Sequence, residues 1–218
     1  MKRILLYGAT GRTGRHVLDL ALQRGYEVVA LVRDSSSITA GSERLAVIQG
    51  DTTSLDDIRR AIQGCDAVLS TLGALHQTDI LKLGKIDPPH TLERSMRPTI
   101  QAMKEAGVKR IIVQTALGAG DSYPDVHWVM RLLMRWTRFK IVYADHNMQE
   151  QLLQESGFDW TFVRPVGLND KDELRKLHIT LHGAPPSFQI SRKHVAQFML
   201  DCLDKDLYIH QAPAVSEK

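Results

Sequence analysis

Cysteine is scarce here: Cys65 and Cys202 are the only two in 218 residues. Both stand in apolar patterns, so they make no disulfide framework and read as buried thiols of a reducing compartment. No run of about 18 apolar residues occurs, which excludes a helical membrane span. The first residues hold one short strand, without the charged segment and long apolar stretch of a secretory signal, so a cytoplasmic protein is expected. The formal net charge is +3, too slight an excess to point to nucleic acid. No cysteine cluster occurs and no histidine pair stands one turn apart on a predicted helix, so no metal is expected. Repeats, low-complexity tracts and linkers are absent as well, and residues 1–218 are expected to form one domain.

What the chain does hold is ordinary globular material, 43% hydrophobic and 24% charged, in an alternating rhythm. Apolar strands are predicted at residues 1–7, 27–32, 45–49, 67–71, 110–114 and 160–163, with helices over 55–62 and 92–106 between them. Ser54 is a candidate cap of the first of these helices. Residues 74–90 and 168–174 read as loops, 178–182 as a short strand, and Ser191 as the cap of a last helix. Such a rhythm predicts an α/β fold, a Rossmann-like doubly wound parallel sheet, with a small C-terminal substrate lobe at its carboxyl edge.

The first strand runs straight into Gly8-Ala9-Thr10-Gly11-Arg12-Thr13-Gly14, and a helical pattern follows at once. Strand, glycine turn and helix in that order form a cradle for a dinucleotide pyrophosphate. Gly8 is predicted to turn the chain off the strand, Gly11 to admit the phosphates to the backbone, and Gly14 to seat the helix on the sheet. The helix N-terminus supplies free N–H groups and positive dipole. The second strand then ends in Arg33-Asp34 followed by Ser35, Ser36 and Ser37. Arg33 suits adenine and a 2′-phosphate, with Ser36 adding a hydroxyl and Arg12 reaching the same phosphate, so NADP(H) is favoured over NAD(H). Asp34 is the competing signal, since an inward carboxylate would take the 2′-hydroxyl of NAD. Asp51 and Thr52, ending the third strand, are placed beside the adenine, with capping of the next turn as the alternative for Asp51. Thr71, Leu72 and Gly73, ending the fourth, are placed along the ribose and pyrophosphate.

Taken together, Gly8 to Gly14, Leu31 to Ser36, Gly50-Asp51, Leu72-Gly73, Asp145, Glu150 to Gly157, Trp160 to Pro165 and Ile190 to Leu203 resemble the atypical short-chain dehydrogenase/reductases, in the NmrA-like branch that holds biliverdin reductase B-like flavin reductases. The resemblance implies a monomer or small homo-oligomer that binds NADP and reduces a flat conjugated acceptor: a flavin, quinone or tetrapyrrole. The chain departs from the pattern at the acid groups. Conventional members of the superfamily carry Lys four residues after a catalytic Tyr; here Tyr143 is followed by Asn147. Ala116 and Gly167 stand where the biliverdin reductase B-like group has Ser and His.

Three side chains remain as candidates for polarising the acceptor or donating a proton: Thr115 at the end of the fifth strand, Tyr143 and His146. Thr115 also stands where a nicotinamide ribose would lie. Pro165, Val166 and Gly167 are predicted to wall the nicotinamide and hold its carboxamide through backbone groups; His76, in the loop after Gly73, reads as a solvated residue or as one that lines the cofactor. Without a strong acid, the sequence favours an acceptor that spreads incoming charge over a conjugated system. Residues 126–139 crowd Trp128, Val129, Met130, Leu132, Leu133, Met134 and Trp136 around three arginines. They read as a helix packed on the body, or as a lid or dimer face gripping a planar substrate.

Overall fold

The computed structural model describes residues 2–38, 41–73, 91–137, 139–173 and 175–218. The predicted loop at 74–90, His76 with it, lies outside them. Eight strands form the central sheet: β1 (Arg3–Tyr7), β2 (Glu27–Val32), β3 (Leu45–Gln49), β4 (Ala67–Ser70), β5 (Arg110–Gln114), β6 (Asp159–Pro165), β10 (Ala214–Glu217) and β8 (Leu177–Thr180). Their order is β3-β2-β1-β4-β5-β6-β10-β8. Every neighbouring pair is parallel except β10 with β8. The chain thus leaves β1 for β2 on one side and returns for β4 on the other, and this reversal opens a crevice at the strand ends above β1.

The buried runs of β1 and β4 explain their central place: strands covered on both faces read as continuous apolar stretches. Ile4, Leu6 and Ala30 face α1 (Arg12–Gln23) and α6 (Arg192–Asp204). Leu5, Tyr7, Val29 and Val113 face α2 (Leu55–Ala61), α3 (Thr91–Ala106) and α5 (Phe139–Gln154). Burying each such side chain contributes roughly 1.5–3 kcal/mol. Caps set the helix starts: Ser54 accepts from the Asp57 N–H, and Ser191 from the His194 N–H. Both thiols are buried.

The last third of the chain divides. β7 (Gly167–Asn169) and β9 (Gln189–Ser191) pair as a separate parallel two-stranded sheet, the small lobe. β8, β10 and α6 join the main body instead. The sequence reading missed β7, β9 and β10, three- or four-residue strands too short to carry a period; Leu168 and Asn169 of the loop expected over 168–174 lie in β7.

Candidate functional site

The glycine turn is built from contacts that leave no room for side chains. Gly8 adopts φ +77°, and a Cβ on Gly14 would stand 1.9 Å from the Gly8 carbonyl oxygen. Thr71 braces the turn from β4, its hydroxyl donating to the Tyr7 carbonyl at 3.0 Å. Gly11 caps α1 with no side-chain hydrogen bond, and no acid lies in the first helical turn. The α1 N-terminus therefore presents N–H groups and positive dipole at the crevice, as a pyrophosphate requires.

Around this cradle several predicted ligands are already engaged by the protein. Arg12 was expected beside Arg33; its guanidinium instead meets Asp170 at 3.0 Å, just past β7. The same carboxylate holds Arg192 at the start of α6, at 2.7 Å. Asp170 thereby ties the small lobe to the glycine turn. At the end of β2, Asp34 accepts from the Ser36 N–H and hydroxyl at 3.0 and 2.7 Å. Those bonds hold its carboxyl below the usual carboxylate range and commit it to the turn Ser35–Ser37. The Ser36 hydroxyl is spent in the same bond. Arg33 is exposed and has no such partner among the described residues. Asp51 is the turn cap of the alternative reading, accepting from the Thr53 N–H and hydroxyl. Thr52 bonds Ser95 on α3 at 2.9 Å. Leu72 packs against the α2–α3 side of the core, and Gly73 is exposed.

At the ends of β5 and β6 the candidate acids are engaged too. The Thr115 hydroxyl, predicted to face the nicotinamide, donates to Glu150 Oε1 at 2.8 Å. Arg164 clasps Glu150 through Nε at 3.1 Å and Nη2 at 2.6 Å, with both side chains almost fully buried, and reaches Asp121 at 2.6 Å. Sequence reasoning assigned no role to this cluster; a buried Glu and Arg fourteen residues apart on different elements leave no periodic signal. Tyr143 donates its hydroxyl to the Leu117 carbonyl at 3.1 Å, and burial pushes its pKa up. Asn147, in place of the lysine, accepts from the Gly120 N–H at 2.7 Å. Burial holds His146 down to about 4, so its imidazole is neutral, and its Nδ1 has no hydrogen-bond partner among the described residues. The Pro165 carbonyl accepts from the Leu117 N–H, and the Val166 N–H donates to Val215. These two backbone groups, expected to hold a carboxamide, already bond the protein. Gly167 lies against the Phe188 carbonyl, 2.7 Å from where its Cβ would be.

One aromatic surface stands open beside these strand ends. Phe188 is 68% exposed and Trp128 is 64% exposed. His127 lies between them, 5.8 Å from the Trp128 ring and 5.9 Å, edge-on, from that of Phe188. Trp128 opens α4 (Trp128–Trp136), whose Val129, Met130 and Leu132 are exposed as well. This helix turns part of its apolar surface outward, while Met134 is buried.

Comparison with known proteins agrees with this geometry. A family model described as NAD(P)H-binding matches residues 8–206. The divinyl chlorophyllide a 8-vinyl-reductase of Arabidopsis thaliana, a chloroplastic protein, is 26% identical over 95% of this chain. The chain spans about half of that relative's length, 51%. ChuY of Escherichia coli O157:H7, an anaerobillin reductase, superposes with a TM-score of 0.80 at 24% identity, over 99% of this chain and 97% of that one. A short-chain dehydrogenase/reductase of Veillonella parvula in complex with NADP gives a TM-score of 0.82 at 17% identity, over 99% and 94%. With its Rossmann-like sheet and glycine turn, the chain belongs to the NAD(P)H-binding family.

Proposed function

We propose that this chain is an NADPH-dependent oxidoreductase that passes hydride to a planar conjugated acceptor, such as a flavin or a quinone. The observation that carries the reading is how the candidate acids are held: Thr115 and Tyr143 donate inside the protein, and His146 is buried and neutral. Reducing an isolated ketone leaves an alkoxide, for which general acid catalysis is worth ~10²–10⁴-fold. A conjugated acceptor spreads the charge over its ring system and takes its proton from water. Catalysis then rests on holding two flat rings together, and Phe188, His127 and Trp128 provide a surface suited to stacking.

The residues present fit the dinucleotide. The uncapped α1 N-terminus and the space above Gly11, where a Cβ would stand 3.1 Å from the Gly8 carbonyl, suit a pyrophosphate. Gly8, Thr10, Gly11, Thr13 and Gly14 would enclose it, with Arg12 released from Asp170. Thr71, Leu72 and Gly73 would run beside the ribose, and Asp51 and Thr52 beside the adenine. Arg33, unpaired among the described residues at the end of β2, would meet the 2′-phosphate, with the Asp34 carboxylate turned to its own serines. Bound NADPH would supply the hydride. The NADP complex of the Veillonella parvula relative and the reductase activity named for the Arabidopsis thaliana relative support the reading.

Loss of nicotinamide absorbance, followed with FMN, riboflavin, a benzoquinone and biliverdin, tests it. NADPH is expected to be oxidised with one or more of these acceptors and not with an aliphatic ketone. One alternative is a dinucleotide-sensing protein, favoured by the same lack of a free acid, which predicts tight NADPH binding without turnover on any acceptor; another is an isomerase or epimerase with tightly held NADP, which predicts cofactor that survives purification and is not consumed. Arg33→Ala is expected to weaken NADPH about tenfold or more while leaving NADH almost unchanged. Equal loss on both would remove the 2′-phosphate from Arg33.

A further inference from the structure

A groove of about 280 Å³ opens at the small lobe, its lining including Asn169, Lys171, Arg175, Phe188, Gln189 and Glu217. It adjoins both parts of the proposed site. Asn169 and Lys171 flank Asp170, which holds Arg12 of the glycine turn. Phe188 and Gln189 run along Gly167, with Gly167 opposite Gln189 in the β7–β9 register. The face of Phe188 continues into His127 and Trp128.

The charges in this groove are unbalanced. Lys171 and Arg175 are exposed, and neither ammonium nor guanidinium meets a carboxylate among the described residues. The one acid lining the groove, Glu217, is taken by His194 Nδ1 at 2.6 Å. Asp172, next to Lys171 in sequence, turns instead toward Lys193 at 3.9 Å. Two free cations beside an exposed aromatic face suit a ring that carries an anion: the ring lies on Phe188, and the anion reaches the cations.

We propose that this groove is an anion subsite, in which Lys171 and Arg175 hold a phosphate or carboxylate arm of the conjugated acceptor while Phe188 supports its ring. The inference rests on the reductase reading for the identity of the ligand, but its test is a binding measurement. Flavin fluorescence reports dissociation constants for FMN and riboflavin, which share one ring system and differ by a phosphate, on the NADP⁺-saturated protein. Lumiflavin-3-acetate against lumiflavin makes the same comparison for a carboxylate. Wild type is expected to prefer the anionic member of at least one pair by about tenfold, and which pair shows it identifies the arm. In the double variant Lys171→Gln/Arg175→Gln that preference is expected to fall to near unity. Lys176→Gln, which removes an exposed neighbouring charge outside the groove, is expected to keep it. No preference for either anion in wild type, or a preference that survives the double variant, overturns the subsite. Failure of NADPH oxidation with each of FMN, riboflavin, a benzoquinone and biliverdin would overturn the reductase reading alone, because the preference is read without turnover.

Discussion

Gly14 shows how little freedom a single position has in this fold. Its missing Cβ lets α1 pass the Gly8 carbonyl, where a methyl group would stand 1.9 Å from the oxygen and 2.8 Å from Thr71 Oγ1. The Gly8 carbonyl oxygen, and its carbon at 2.6 Å, are backbone atoms and cannot step aside. Gly14→Ala is expected to cost about 2 kcal/mol or more by overpacking, read as a lower urea midpoint, and to abolish NADPH binding. His146 makes a different statement at the same scale. Burial lowers its pKa from 6.5 to about 4. Between those values the unfolded chain binds a proton that the folded chain refuses. Its contribution is complete above about pH 6.5 and is lost as the pH falls toward 4, on the order of 3 kcal/mol in all. His146→Gln is expected to flatten the fall in urea stability between pH 7 and pH 5; an unchanged slope would mean that other groups cause it.

Helices in this protein are held in place by one another as much as by their own sequences. Asp145 on α5 accepts from the Leu92 and Glu93 N–H groups at 2.9 Å and so caps the start of α3 across a helix pair. Asp145→Ala is expected to cost about 1–2 kcal/mol, the range for a lost helix cap. Circular dichroism on thermal melting reads the loss. The start of α2 was legible in sequence because its cap, Ser54, lies beside it; Asp145 is more than fifty residues from the helix it caps, and no local pattern announces it. The same holds for strands. β1, β2, β3 and β5 are apolar runs bounded by turns and stand where the pattern puts them, whereas β7, β9 and β10 exist because a neighbour completes their hydrogen bonds. The pattern of α4 indicated an apolar helix without saying which way it faced, since burial depends on what packs against it.

Across the whole molecule, the buried pair Arg164–Glu150 joins β6 to α5, Thr115 joins it from the end of β5, and Asp121 from the turn Gly120–Asp125. Removing one partner strands a charge in the interior. Glu150→Ala is expected to destabilise by about 3–5 kcal/mol in urea unfolding, and exchanging both partners for apolar residues of similar volume by much less. A loss of that size from both variants would place the stabilisation in packing instead of in charge. By itself the sequence determined the parallel α/β sheet, the glycine turn at the crevice and the basic end of β2. Each is written locally: apolar runs, glycines where a Cβ cannot fit, a cation just past a strand. Only the tertiary structure decided which polar groups remain free. The Thr115, Tyr143, Asp34 and Arg12 side chains look available in the chain and are engaged in the fold. Lys171 and Arg175 look like ordinary surface charges in the chain and, among the described residues, stand unpaired in the groove that Phe188 lines. A hydrogen bond or ion pair is a contact across space, and its partner comes from wherever the fold brings two distant segments together.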